Sequence, residues 1–219
     1  MKRLWFSCVA LAFAVSGLCA GCIMPQTTGT QGGQAQPAAG GGSRSYQQGE
    51  RLTAHQAYQV LLPRIQEWQP KATIALASPK SRSDGKDDRG ADGRSAAWRF
   101  TCASADEQTY ALFELDTSKE AGSQVRVATS NVRRPAVTAL VAPASWKIDS
   151  PRAMEIAQAN GLKEWLAAHP DYRWDSATIE LRASAEEGPY WLIIATERGK
   201  TIDFRISATD GKVYHARSH

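Results

Sequence analysis

Cysteine is nearly absent from this chain. Four occur in 219 residues, and three of them, Cys8, Cys19 and Cys22, fall at the very beginning. Cys102 is left alone, so the body of the chain has no disulfide framework and must be held together by burial. Catalytic signatures are missing too: there is no G-x-S-x-G, H-E-x-x-H, P-loop or G-x-G-x-x-G. The histidines, His55, His169, His215 and His219, are scattered. Only the pair His215/His219 has a weak chelating spacing, and fraying of a chain end competes with that reading. Asp84, Asp87, Asp88 and Asp92 lack the D-x-D-x-D-G spacing and closing Glu of a calcium loop. Cys102 falls mid-strand with no polar neighbour to activate a thiol, and Glu186, Glu187 and Asp175 read as charged loop residues. No catalytic residue, metal ligand or cofactor follows from these patterns. No Lys/Arg stripe interleaved with aromatics is present for nucleic acid, and the formal charge of +4 is mild. Removing residues 1–21 takes Lys2 and Arg3 with it and leaves 24 Lys+Arg against 22 Asp+Glu.

What is present starts at the first residue. Lys2 and Arg3 precede an uncharged apolar run over residues 4–18, followed by the small residues of Cys19-Ala20-Gly21-Cys22. That is the pattern of a secretory signal. The run falls short of the roughly 20 residues that span a bilayer, and the C-x-x-C form has no redox-fold context around it. The ending resembles the lipobox of bacterial lipoproteins at Ala20, Gly21 and Cys22, and departs from it at Cys19, where Leu is usual. The resemblance implies cleavage before Cys22 and lipid on its sulfur, with an ordinary cleaved signal as the alternative. The expected location is lipid-anchored at a cell or outer membrane, facing the periplasm or exterior.

Residues 22–50 then read as a lipidated N-terminus and flexible linker, rich in Gly, Gln, Thr, Ala and Pro. As a Gly-rich coil, residues 23–49 reach roughly 30 Å. Order is expected from Leu52. Thr53 and Gln56 have the form of a capping box, and Ala54, Tyr58, Leu61, Ile65 and Trp68 make one apolar helical face, interrupted at Pro63. Strands are expected at 72–76, 98–103, 108–116 and 125–128, with a polar loop over 78–95. Residues 137–141 form an apolar patch that is either an extra strand or packing between halves. A second helix is expected with Ser150 as N-cap and Pro151 at its first position, weakened at Gly161. Strands at 177–181, 190–196, 201–207 and 212–216 follow, the last after the Asp210-Gly211 turn.

The two halves match element for element. A cap and a Trp fifteen residues on, preceded by Glu, occur at Thr53 to Trp68 and at Ser150 to Trp165. Trp98 answers Trp191. The expected fold is therefore α+β, two repeated units at 51–130 and 147–219, each one helix on an antiparallel sheet of three to four strands, joined through 131–146. The halves resemble PepSY domains. The stretch from Ile206 to Val213, with Asp210-Gly211-Lys212-Val213, is similar to the closing signature of that family, and departs from it at Ser207 and Asp210. In the N-terminal half, residues 52–57 resemble the helix start and the T-G-K turn is missing. The resemblance implies tandem, non-catalytic modules that bind or regulate an envelope protein such as a peptidase. The alternative is a structural or assembly lipoprotein binding wall or lipid components.

Seven Trp and six Tyr complete the reading. Trp68, Trp98, Trp165 and Trp191 fit a repeated core. Trp146, Tyr172, Trp174 and Tyr190 fall at element ends, as core lids or as anchors for a partner. The partners expected are the membrane, through Cys22, and an envelope protein.

Overall fold

The structure is a computed structural model that describes residues 46–80 and 90–219. The signal, Cys22, most of the linker and Asp84, Asp87 and Asp88 lie outside the described residues. The chain joins the fold earlier than Leu52. Tyr46 donates through its hydroxyl to Gln124 at 2.8 Å, and the Gly49 amide donates to the Thr117 carbonyl at 2.7 Å.

Helix α1 spans Ala54–Trp68 and carries the full capping box, Thr53 accepting from the Gln56 amide and Gln56 returning a bond to the Thr53 amide. Its buried face is Ala54, Ala57, Tyr58, Leu61 and Ile65. Pro63 does not break it. Both Pro63 and Gln59, whose carbonyl loses its donor, are exposed, so the unpaired carbonyl is on the solvent side and costs little.

Among the described residues the eight strands are β1 Thr73–Pro79, β2 Ala97–Ala103, β3 Tyr110–Asp116, β4 Val125–Ala128, β5 Thr178–Ser184, β6 Gly188–Glu197, β7 Lys200–Ser207 and β8 Val213–Ser218. They form one antiparallel sheet in the order β4-β3-β2-β1-β5-β6-β7-β8. The expectation of two separate repeated helix-on-sheet units is therefore overturned. β1 and β5 join at Ala77 and Leu181, and buried residues of both stretches, from Leu61 and Phe100 to Trp191 and Phe204, belong to one cluster. The physical reason lies in edges. Two sheets of four strands expose four rows of unpaired amides and carbonyls, and joining them at β1 and β5 leaves two.

Helix α2, Ser150–Ala157, and α3, Lys163–Ala168, flank a break at Asn160 and Gly161, where Gly161 takes φ 112. The N-cap of α2 is Asp149 and not Ser150. Ser150 serves the other helix: its hydroxyl accepts from the Ala54 amide at 3.0 Å, while Asp149 Oδ1 accepts from the His55 amide at 3.0 Å and the Ser150 amide at 2.7 Å. The starts of α1 and α2 thus share side-chain caps. Just ahead of each start a carbonyl receives an indole: Trp98 donates to Leu52 at 2.9 Å, and Trp191 to Ile148 at 2.8 Å.

The apolar patch over 137–141 lies at the β1/β5 seam. Val141 bridges Ile74 and Ala139 bridges Ala183. Val132, Val137 and Leu140 pack on Ala75, Ala103 and Tyr110, a small cluster separate from the main core. On β5, β6 and β7 the residues alternate in the same way, with Ile179, Trp191, Ile193, Phe204 and Ile206 buried in the main core and Glu180, Leu192 and Arg205 in register on the opposite face.

Candidate functional site

The residues expected as partner anchors do not converge. Trp146 is 4% exposed. Its ring lies 3.8 Å from His55 and 6.1 Å from both Tyr58 and Trp191, and its indole joins Trp191 in donating to the Ile148 carbonyl, at 2.9 Å. Tyr172 and Trp174 are half-buried and belong to a chain of edge-to-face rings, Trp165 to Tyr172 at 5.2 Å and Tyr172 to Trp174 at 5.3 Å. Tyr190 lies on the opposite face of the sheet, buried, with the Arg205 guanidinium 5.7 Å over its ring. Cys22 is outside the described residues.

Cys102 is 1% exposed on the helix side of β2. Burial pushes its thiol up to about 12, and Tyr58, raised first by its own burial and then by the neighbouring Cys102, also stands at about 12. A thiol held protonated in this way is inert. Treatment of the native chain with iodoacetamide should leave Cys102 unmodified by mass spectrometry, and modification should appear only with denaturant; rapid native labelling would overturn this.

Glu114 on β3 points away from the helices and is 4% exposed. It receives Lys80 at 3.1 Å, Arg99 at 3.0 Å and Arg126 at 3.6 Å. Burial pushes its carboxyl up, but Lys80 and then Arg99 outweigh that and hold it below the ordinary glutamate range. Because the folded state binds this proton less readily than the unfolded state, the stabilisation is present above the unfolded glutamate range and is lost as pH falls through the folded value. Glu114→Gln should cost about 1–2 kcal/mol at neutral pH, since exposed Arg99 and Arg126 regain water. It should also flatten the acid limb of stability against pH; an unchanged acid limb would remove Glu114 from that role.

The chain end is ordered. Thr201 and His219 exchange backbone bonds at 3.1 and 2.8 Å, and His215 and His219 both turn their Nε2 atoms to Asp203, at 2.6 and 3.5 Å. Among the described residues no group of three or more His, Cys, Asp or Glu is arranged to hold a metal ion.

The remaining feature is the pair of sheet edges. Among the described residues no strand pairs with the outer side of β4 or of β8. Beside β4 a groove of about 470 Å³ is lined by Trp68, Val125 and Val127, with the Arg64–Glu67 ion pair on its rim. Val127, 42% exposed, is the large apolar side chain that stands out in water among the described residues. Beside β8 a groove of about 450 Å³ runs from the break at Gly161 to Ala216 and Ser218, floored by Trp165 and Ile202. The sequence did not mark either groove. Trp68 and Trp165 were legible as core residues, but their position beside an edge strand depends on the strand order.

Fold and site define an α+β domain on one open antiparallel sheet whose two edges are unpaired among the described residues. No family model matches the chain, and no curated protein matches it. It is similar to a crystal structure described as "a putative lipoprotein" from Clostridium difficile 630, with 12% sequence identity and a TM-score of 0.43 over 74% of this chain and 93% of that one. A likeness this distant carries no argument about the present chain. Among the described residues no helix is long and apolar enough to cross a membrane.

Proposed function

We propose that this is an exported, non-catalytic protein held at a membrane by lipid on Cys22, whose sheet domain engages another envelope protein. The anchor half of the proposal is supported by the sequence: a basic start, an uncharged apolar run, and small residues before Cys22. Two acyl chains or more hold a protein at a bilayer far more firmly than one, at about 0.8 kcal/mol per buried CH₂. The binding half is supported chiefly by the two free edges flanked by Trp-floored grooves, since unpaired ladder groups beside an apolar trough suit another polypeptide. Engagement of a peptidase is the narrowest form of the reading and rests on the PepSY resemblance alone.

Cys22→Ala should move the protein from the membrane to the soluble fraction and abolish incorporation of a labelled fatty acid. Continued membrane retention of the variant would refute the anchor. Cross-linking of the wild-type chain on intact cells, followed by identification of its neighbours, tests the binding half. Recovery of lipid alone, with no protein adduct at any cross-linker length, would refute it.

A further inference from the structure

We infer that β8 is the docking edge, and that it takes an extended polypeptide segment in which an apolar side chain alternates with an acidic one. The inference rests on the protein-binding reading above and narrows it to one edge and one chemistry. Thr201 and His219 exchange both backbone bonds. In an antiparallel ladder such pairs alternate with pairs that make none. Asp203/Arg217 is therefore a bonded pair, while Ile202/Ser218 and Phe204/Ala216 are not. The amides and carbonyls of Ala216 and Ser218 consequently point outward, away from β7.

Those same two residues line the groove floored by Trp165. A strand added to β8 would exchange backbone bonds with Ala216 and Ser218. Its residues facing them would place their side chains on the helix side of the sheet, over Trp165 and Ile202. Trp165 and Ile202, 6% and 5% exposed, give that groove an apolar floor. The intervening residue of that segment would face Arg217, which is exposed and makes no ion pair among the described residues. Charge complementarity there calls for Asp or Glu. β4 is the weaker edge: it has four residues, and its Arg126 is already paired with Glu114.

The probe is a short synthetic peptide of alternating valine and glutamate, titrated into the full chain in mild detergent and followed by NMR amide shifts and hydrogen exchange. With peptide, the amides of Ala216 and Ser218 should shift and exchange about tenfold more slowly. Those of His215 and Arg217, already bonded to β7, should change little. Ala216→Pro removes an outward N–H without touching the bonds to β7 and should weaken binding about tenfold. Arg217→Glu, on an exposed side chain, should lose the glutamate peptide and take up its lysine counterpart. Shifts confined to Val125 and Val127 would overturn the choice of edge while leaving the protein-binding reading standing. Absence of shifts at any concentration would overturn the inference, as would Ala216 and Ser218 amides already protected in a chain of dimeric mass, since a second copy would then own the edge. Membrane retention, measured alongside, reports on Cys22 alone.

Discussion

Trp191→Ala is expected to lower the free energy of unfolding by about 3–5 kcal/mol, the range for a large aromatic removed from a packed interior. Trp191 is fully buried, sits in register between Leu181 of β5 and Ile206 of β7, and touches Trp146. The lost volume opens under the start of α2, where its indole had donated to Ile148. Trp191→Phe should cost markedly less, because the Ile148 carbonyl keeps the Trp146 indole as a donor. Urea unfolding of both variants at constant slope measures the difference. A loss below about 1 kcal/mol for the alanine variant would mean that the core collapses around the gap, contrary to the packing described.

Gly93→Ala should be nearly as damaging, by about 2–4 kcal/mol, although it adds a single methyl group. Gly93 has φ +68, and a Cβ there would lie 2.4 Å from the Ser150 carbonyl oxygen and 2.7 Å from the Pro151 nitrogen. These are backbone atoms of a capped helix start, so they cannot turn aside. The same turn carries Asp92, paired with Arg51 at 2.8 Å, and Ala91, whose carbonyl accepts from Gln158 at 2.8 Å. Displacing it therefore disturbs ties to the segment ahead of α1 and to the end of α2. Gly122→Ala separates the two contributions: its φ is +89 with nothing within 4 Å, so it carries the dihedral strain without the collision and should cost about 1 kcal/mol. Equal losses in the two variants would show that the close approach to Ser150 is not what matters.

Much of the local structure was legible because its signals are local. The capping box is written in Thr53 and Gln56, the apolar face of α1 in Tyr58, Leu61 and Ile65, and the last turn in Asp210 and Gly211. The assembly was not legible. One pairing, Ala77 with Leu181, decides between two small sheets and one large one, and strand patterning does not specify which neighbour a strand takes. The N-cap of α2 was misplaced by one residue for a related reason. Ser150 has the chemistry of a cap, but it caps a helix that starts ninety-six positions earlier. The grooves depend on the same long-range order: Trp165 reads as core until β8 is known to be an outer strand. β8 was legible as a strand over 212–216, but its exposed last residues resemble a tail, and the register with β7 and the Thr201–His219 bonds show the ladder running on to the final residue.

The shared caps tie the order of synthesis to the order of folding. A chain that emerges amino end first presents Ala54 and His55 long before Asp149 and Ser150 exist to receive their amides. Until then the early portion has its local capping box but lacks the Asp149 and Ser150 acceptors and the β5 partner of β1. For the export proposed above, such a dependence would suit a chain threaded through a membrane unfolded, because the start of α1 is completed only by residues about two-thirds of the way along the chain.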